Sequence, residues 1–318
     1  MSVATRPLGI ADLPLIALTG RAPYKNHAVT VEHAAAAAAQ RPGLARLLRA
    51  SLQPGGRQVW ISRDGLSLLG LAAVRSRSGP SAWEIDALVL GLSSEAFALD
   101  LLERCIATAG ARGAHRLFLR LPAASDLIVA ARRQGFSPAG GETLLVDTAA
   151  TGAPTRDAGR WRQRSRADDR DLFQIFCTTV PQETRWQTAL TPAEWRAALD
   201  PMGRGAQEWV QDHADGPALL RLRLHDHGIR ATLHAPDRAD LARDAVAALR
   251  HWAHQHRPAC RLEVLLPDHL PLVANTFRDL GFQDLARYEL NARPIAQRTQ
   301  RLQLAERSVE GTVRPVIQ

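Results

Sequence analysis

The segments SAWEIDALVL (81–90), SSEAFALDLLERCIATAGARG (93–113), AHRLFLRLP (114–122), SDLIVAARRQGF (125–136) and GETLLV (141–146) decide how the chain is read. They spell strand, amphipathic helix, strand, short helix and strand. Phe97, Leu101, Leu102, Cys105, Ile106 and Ala109 recur at spacings of three and four, which puts one apolar face on a helix. Gly110 and Gly113 end that helix. His115–Leu121 alternates only weakly, as a strand buried on both faces does. Asp126 is placed to cap a helix through Arg133, Gly135-Phe136 closes it, and Thr143–Val146 is the last strand.

Upstream, Ala4–Leu8 reads as a strand and Ala11-Asp12 starts a helix through Leu18. Thr30 can cap a second helical stretch that reaches Leu52. Gln58–Ser62 and Leu66–Arg75 form a hairpin around Asp64-Gly65, a dipeptide suited to tight hairpin turns. Trp83–Leu90 then completes a three-stranded meander. The small, polar segment Thr148–Arg160 has the composition of a linker.

The same programme then returns. Trp161–Arg166 reads as a strand, and Asp168 caps a helix from Arg170 to Thr179. Thr191-Pro192-Ala193-Glu194 is a helix start with a Thr cap, Pro in the first position and Glu in the third. Two strands cross Asp215-Gly216 as a hairpin, and Ile229–His234 is the next strand. Arg238–His256 is helix, Cys260–Leu266 strand, Leu270–Leu280 helix and Leu285–Leu290 strand. Segment 114–122 (AHRLFLRLP) aligns with 259–267 (ACRLEVLLP) at five of nine positions. Gly135-Phe136 matches Gly281-Phe282, and Arg6 with Ala11-Asp12 matches Arg162 with Ala167-Asp168. Three matches in the same order make the chain an internal duplication. Its expected parts are an N-terminal half at 1–147, a linker at 148–160, a C-terminal half at 161–293 and a tail at 294–318.

Composition narrows the function classes. With 46% apolar residues, 318 residues suffice for two cores without disulfides. No run of 18 apolar residues exists and the N-terminus lacks a signal-peptide core, so no membrane span and a cytoplasmic location are expected. Cys105, Cys177 and Cys260 are scattered and read as buried thiols. The histidines at 213, 225, 227 and 234 fall on alternating strand faces without metal-ligand spacing, so no metal is expected. The formal charge of +8 rests on arginine, with Lys25 the only lysine. The arginines form no localised patch interleaved with aromatics, which argues against a nucleic-acid partner.

Each half, β-α-α-β-β-β-α-β-α-β with Gly-Phe closing the last helix, resembles the GNAT-type N-acetyltransferase fold, a mixed α/β architecture. The resemblance runs from about Thr5 to Val146 and from Arg160 to Ala292, and RRQGF and FRDLGF are its most recognisable pieces. It implies two tandem acyl-CoA N-acyltransferase domains, with acetyl-CoA as co-substrate in a V-shaped gap between the fourth and fifth strands. The fourth strand would pair with the pantetheine arm, and the following helix N-terminus would take the pyrophosphate.

The implied cofactor-binding residues are Leu88, Val89, Leu90, Ser93 and Ser94 in the first half and Leu233, His234 and Arg238 in the second. Neither turn carries the family's Arg/Gln-x-x-Gly-x-Gly/Ala loop: one is Gly91–Ala98 and the other Ala235–Ala242, with Asp237 and Asp240 beside Arg238. The family's proton-donating Tyr is replaced by Ala131 and Phe277. Glu84 and Asp86, two apart on the fourth strand and so on one face, are the candidate catalytic carboxylates, with Glu84 as base. His234 is the counterpart in the second half. Tyr24, Lys25 and His27 lie in the loop where this family gathers acceptor residues. The reaction expected is acetyl transfer to a small-molecule or peptide amine. The alternative is a catalytically silent pair acting as acyl-CoA sensor or interaction module.

Overall fold

The computed structural model describes residues 3–12, 24–36, 56–65, 67–91, 95–148, 160–203, 205–225, 228–257 and 260–295. The expected helix to Leu18, most of the stretch to Leu52, the linker from 149 to 159 and the tail from 296 lie outside the described residues, as do Ser93 and Ser94.

In the first half, β1 (Val3–Pro7), β2 (Lys25–Asn26), β3 (Gln58–Asp64), β4 (Ser67–Ser76) and β5 (Ala82–Leu90) precede α1 (Glu95–Ala111), β6 (Arg116–Pro122), α2 (Leu127–Arg133) and β7 (Ser137–Asp147). The second half runs β8 (Arg162–Gln163), α3 (Asp169–Thr179), α4 (Gln182–Thr188), α5 (Pro192–Ala198), β9 (Gln207–Gln211), β10 (Ala218–His225) and β11 (Gly228–His234). It continues with α6 (Ala239–His256), β12 (Arg261–Pro267), α7 (Pro271–Asp279) and β13 (Gln283–Pro294). Helix α4 is not signalled by the sequence reading. The segment expected as a strand to Arg166 is shorter and turns into a 3-10 helix at Arg166–Asp168.

All thirteen strands of the described residues join one sheet, in the order β1-β3-β4-β5-β6-β13-β7-β12-β11-β10-β9-β8, with β2 added to β5. The two halves exchange their last strands. β13 pairs with β6 of the first half, and β7 pairs with β12 of the second. The register is pseudo-symmetric: Gln283 faces Val146 and Ala292 faces Ser137, while Arg120 faces Leu290 as Leu265 faces Leu144. Arg120 and Leu265 occupy equivalent positions of the repeat. A duplicated sequence folding around a local two-fold axis gives this pairing, and it fuses two sheets into one.

The repeated motifs also fold alike. Gly135 and Gly281 sit at φ +78 and +99, where a Cβ is strained, and let the following N–H turn back into the helix. Phe136 N–H donates to Ala131 O and Phe282 N–H to Phe277 O, both at 3.1 Å, and each Phe is buried. One face of the sheet is apolar. Leu117, Leu119 and Leu121 pack there with Leu101, Leu102 and Cys105 of α1, and Leu262, Val264 and Leu266 pack into the same core cluster as Leu241, Leu249 and Trp252 of α6. The other face carries buried arginines and carboxylates, including Arg120, Glu84, Arg221, Arg230 and Glu263. Alternation along each strand assigns the two sets to opposite faces.

Candidate functional site

In the first half, β5 and β6 pair only at Ala82–Arg116, Trp83–Leu117 and Glu84–Phe118, and then part. The resulting V is filled by the chain itself. Lys25 and Asn26 pair with Leu90 and Val89, and His27 N–H donates to Leu88 O at 2.8 Å. The Asn26 side chain accepts Leu88 N–H at 3.0 Å, and Val29 N–H donates to Arg120 O at 2.9 Å. The backbone groups of Leu88, Val89 and Leu90 that were expected to meet a pantetheine arm are therefore used internally. Tyr24 closes the same segment, donating its hydroxyl to Leu68 O and packing on Gly91.

Glu84 and Asp86 flank a register shift of β5 that leaves Asp86 without a partner on β4, and both meet Arg75. Arg75 reaches Glu84 at 2.8 Å, Arg77 lies 3.7 Å from it, and Arg57 donates to Asp86 at 3.0 Å. Burial pushes the Glu84 carboxyl up, and Arg75 and Arg77 oppose that shift. The candidate base Glu84 is a buried member of an ion-pair network, with Arg75 of the neighbouring strand β4 and Arg77 just after that strand beside its oxygens. Sequence spacing reports the face of a strand, not what packs on it.

The second half keeps its gap open. β11 pairs with β12 as far as Thr232–Leu265, while β11 continues to His234 on its β10 side, where Leu219 faces His234. Among the described residues, the strand edge at Leu233 and His234 past Thr232 has no ladder partner on the β12 side. A cavity of about 110 Å³ opens there, bounded by Phe176 of α3, Thr184 and Thr188 of α4, Trp195 of α5 and the Gly140–Glu142 segment of β7. The first half thus supplies one wall of the second half's cavity. Thr232 Oγ1 lines this space, buried and without a hydrogen-bond partner. An unpaired buried hydroxyl is costly in a closed protein and is satisfied when a ligand or water supplies a partner.

His234 stands at the end of this free edge. Burial, with Arg221 adding repulsion, pushes its pKa down to about 4, so the imidazole is neutral at pH 7. Among the described residues its ring makes no hydrogen bond, leaving a nitrogen lone pair for a proton. His269, on the turn after β12, lines the same cavity and is also pushed down by burial. Beneath the gap Asp200 accepts from Arg120 at 3.1 and 3.2 Å and pairs with Arg77. Burial alone would raise that carboxyl, but Arg120, Arg77 and Arg221 outweigh it and hold it far below the usual range. Asp200, His269 and the β7 wall were not read from the sequence, since they come from distant segments without a shared motif.

The helix following the gap is less accommodating. Arg238, expected to meet a phosphate, is half-buried and donates to Asp240 at 3.0 and 2.9 Å as well as to Asp215. Asp240 accepts Leu241 N–H at 3.0 Å, within the first turn of α6. Asp237 accepts Leu272 and Val273 N–H at 3.2 and 3.0 Å and so caps α7. At the first turn of α6 the Leu241 N–H, one of those that would hold a pyrophosphate, is occupied by a carboxylate. The residues at this turn do not fit a diphosphate.

The other sequence-marked groups are placed as follows. His213 lies 3.4 Å from Asp240 and His225 3.5 Å from Glu263, and His227 lies outside the described residues. Phe277 and Ala131 are fully buried in the two cores, with no hydroxyl at the position of the family's tyrosine. Among the described residues no helix is long and apolar enough to cross a membrane.

No family model matches the sequence, and neither does any curated protein. Solved structures do match. A putative acetyltransferase from Pyrococcus horikoshii aligns over 93% of this chain and 91% of its own, with a TM-score of 0.52 at 11% identity. A GCN5-related N-acetyltransferase from Sphaerobacter thermophilus aligns over 92% and 96%, with a TM-score of 0.53 at 14% identity. Identities this low carry the backbone arrangement and not the chemistry. Two GNAT-like halves in tandem, sharing one sheet, are the fold of this chain.

Proposed function

We propose that this chain is an acyltransferase that moves an acyl group from a pantetheine-type thioester, acetyl thioester in the simplest case, to an amine. We place the reaction in the gap between β11 and β12. The observation that carries this reading is the free β11 edge at Leu233–His234, which ends on a neutral imidazole beside the unpaired Thr232 hydroxyl. An extended arm bearing two amides can hydrogen-bond along such an edge as an added strand.

The steps follow from the groups present. The amine nitrogen attacks the thioester carbonyl carbon, a C–N bond forms and the C–S bond breaks. The amine proton goes to His234, and the imidazolium returns it to the departing thiolate. A histidine with pKa of about 4 is a modest base but a strong acid once protonated, so the second transfer is downhill. One residue thereby covers the role that Phe277 cannot fill. The first half acts as scaffold, since its own gap is occupied by residues 25–29.

The test is calorimetric titration with acetyl thioesters followed by thiol release over a panel of amines. Thiol release that depends on the amine and is lost in His234→Gln supports the reading. Binding without turnover supports the alternative of an acyl-thioester sensor, which the filled first gap and the missing tyrosines favour. Absence of binding overturns both.

A further inference from the structure

We infer that the thioester donor used by this site carries a pantetheine arm without the nucleotide diphosphate, and that the turn at Ala235–Ala242 is built to do without one. The inference rests on the acyl-transfer reading above and specifies its donor. Three observations carry it.

First, the N-terminus of α6 already has one of its donors occupied. Its first intrahelical bond is Ala242 N–H to Arg238 O, which leaves the earlier N–H groups as the candidates for an anion. The Asp240 carboxylate takes Leu241 N–H at 3.0 Å. A diphosphate would have to displace a carboxylate covalently tied to the same turn. Second, the charge has the wrong sign. Asp215 and Asp240 both hold the Arg238 guanidinium, and Asp237 adds a third carboxylate on the same turn. Asp237 cannot swing away at no cost, because it caps α7 through Leu272 and Val273 N–H. Third, no glycine opens the turn for close approach of a phosphate to the backbone: Ala235-Pro-Asp-Arg-Ala-Asp-Leu-Ala242 has a side chain at every position. Like charges at a diphosphate's distance repel, and a helix N-terminal N–H already paired contributes little attraction.

The gap itself shows none of this hostility. The Leu233–His234 edge, the Thr232 hydroxyl and the cavity beyond it accept the amides and the acyl end of a pantetheine thioester. Recognition therefore falls on the half of the donor that is common to coenzyme A, to free acyl-pantetheine and to a phosphopantetheine arm on a carrier protein. The last two share the chemistry that this site prefers.

The full-length chain is titrated with three probes: acetyl-CoA, S-acetyl-pantetheine and an acetylated phosphopantetheinyl carrier protein. The expected result is that S-acetyl-pantetheine binds within about threefold of acetyl-CoA or better. Tighter binding of the carrier-protein probe assigns the protein-borne source, and equal binding assigns the free thioester. Acetyl-CoA binding thirtyfold or more tighter than S-acetyl-pantetheine overturns the inference while leaving acyl transfer in place. No binding of any probe overturns acyl transfer, and this inference with it. A second measurement uses Asp240→Ser, which frees Leu241 N–H and removes one carboxylate. It should tighten acetyl-CoA about tenfold or more and leave S-acetyl-pantetheine unchanged, with folding checked by thermal denaturation. Unchanged acetyl-CoA affinity in a folded Asp240→Ser chain contradicts the inference.

Discussion

The side-chain oxygen of Asn26 accepts the backbone N–H of Leu88 at 3.0 Å, so a side chain stands in for a strand at the edge where a ligand arm was expected. Together with His27 N–H donating to Leu88 O, this contact seals the gap of the first half. Its consequence is a stoichiometry. Acyl thioester should bind at one site per chain, and Asn26→Ala should lower stability by about 1 kcal/mol, the worth of one neutral hydrogen bond, without creating a second site. Calorimetry reads both the number of sites and any change in the variant; two sites in the unaltered chain would contradict the assignment.

His234 sets a pH dependence of definite sign. Its pKa falls to about 4 in the folded chain, against an ordinary value near 6.5. Between those values the unfolded chain binds more protons, so stability rises with pH across that window and is lost as pH falls through about 4. His234→Gln removes the group and should flatten that part of the stability–pH curve, measured by denaturant melts at pH 4 to 7. The same substitution should cost about 10²–10⁴ in turnover if the imidazole moves the proton. A profile identical to that of the unaltered chain would leave His234 without either role.

Glu84 carries the opposite expectation. Its oxygens are held by Arg75 and Arg77 in a buried face of the sheet. Glu84→Ala removes one carboxylate from Arg75 and Arg77, which keep Glu32, Asp86 and Asp200 as partners, and should destabilise by about 2 kcal/mol, as losing a hydrogen bond to a charged group does. Turnover per folded molecule should change little. Chemical denaturation gives the first quantity and an active-site-normalised rate the second.

The exchanged strands make each half depend on the other. Fragment 1–147 lacks β13, the partner of β6, and fragment 161–318 lacks β7, the partner of β12. Expressed alone, each should show poor amide dispersion by NMR. Mixed, the two should recover a dispersed spectrum, because the missing strand is then supplied. Two independently well-folded fragments would show that the exchange is dispensable.

Much of the fold is legible in the sequence because its signals are local. Arg6 with Asp12 and Arg162 with Asp168 match across the repeat, and both pairs close as two-armed ion pairs, 2.9 and 2.6 Å in the second case. Each Asp also accepts a backbone N–H three residues earlier, from Gly9 at 2.9 Å and Ser165 at 2.7 Å. Thr191 caps α5 by accepting Glu194 N–H at 3.2 Å, as its Thr-Pro-Ala-Glu spelling predicts. Such contacts span a few residues, and their residue types are sufficient to announce them.

The site is different in kind. Asn26 and Leu88 are 62 positions apart, and Arg75 and Glu84 meet only because β4 and β5 align in register. A one-dimensional pattern cannot state which of two equivalent gaps the chain fills with its own backbone. By itself the sequence determined the duplication, the α/β order, the Thr191 cap and the Gly-Phe helix ends, since short-range sterics and hydrogen bonding decide those, whereas Asp126 and Asp168 make no side-chain cap bond to the helices they precede. Only the tertiary structure decided that the last strands cross over, that Glu84 is consumed by arginines and that the open gap ends at His234. Those outcomes depend on which distant strands become neighbours, and no local propensity encodes that.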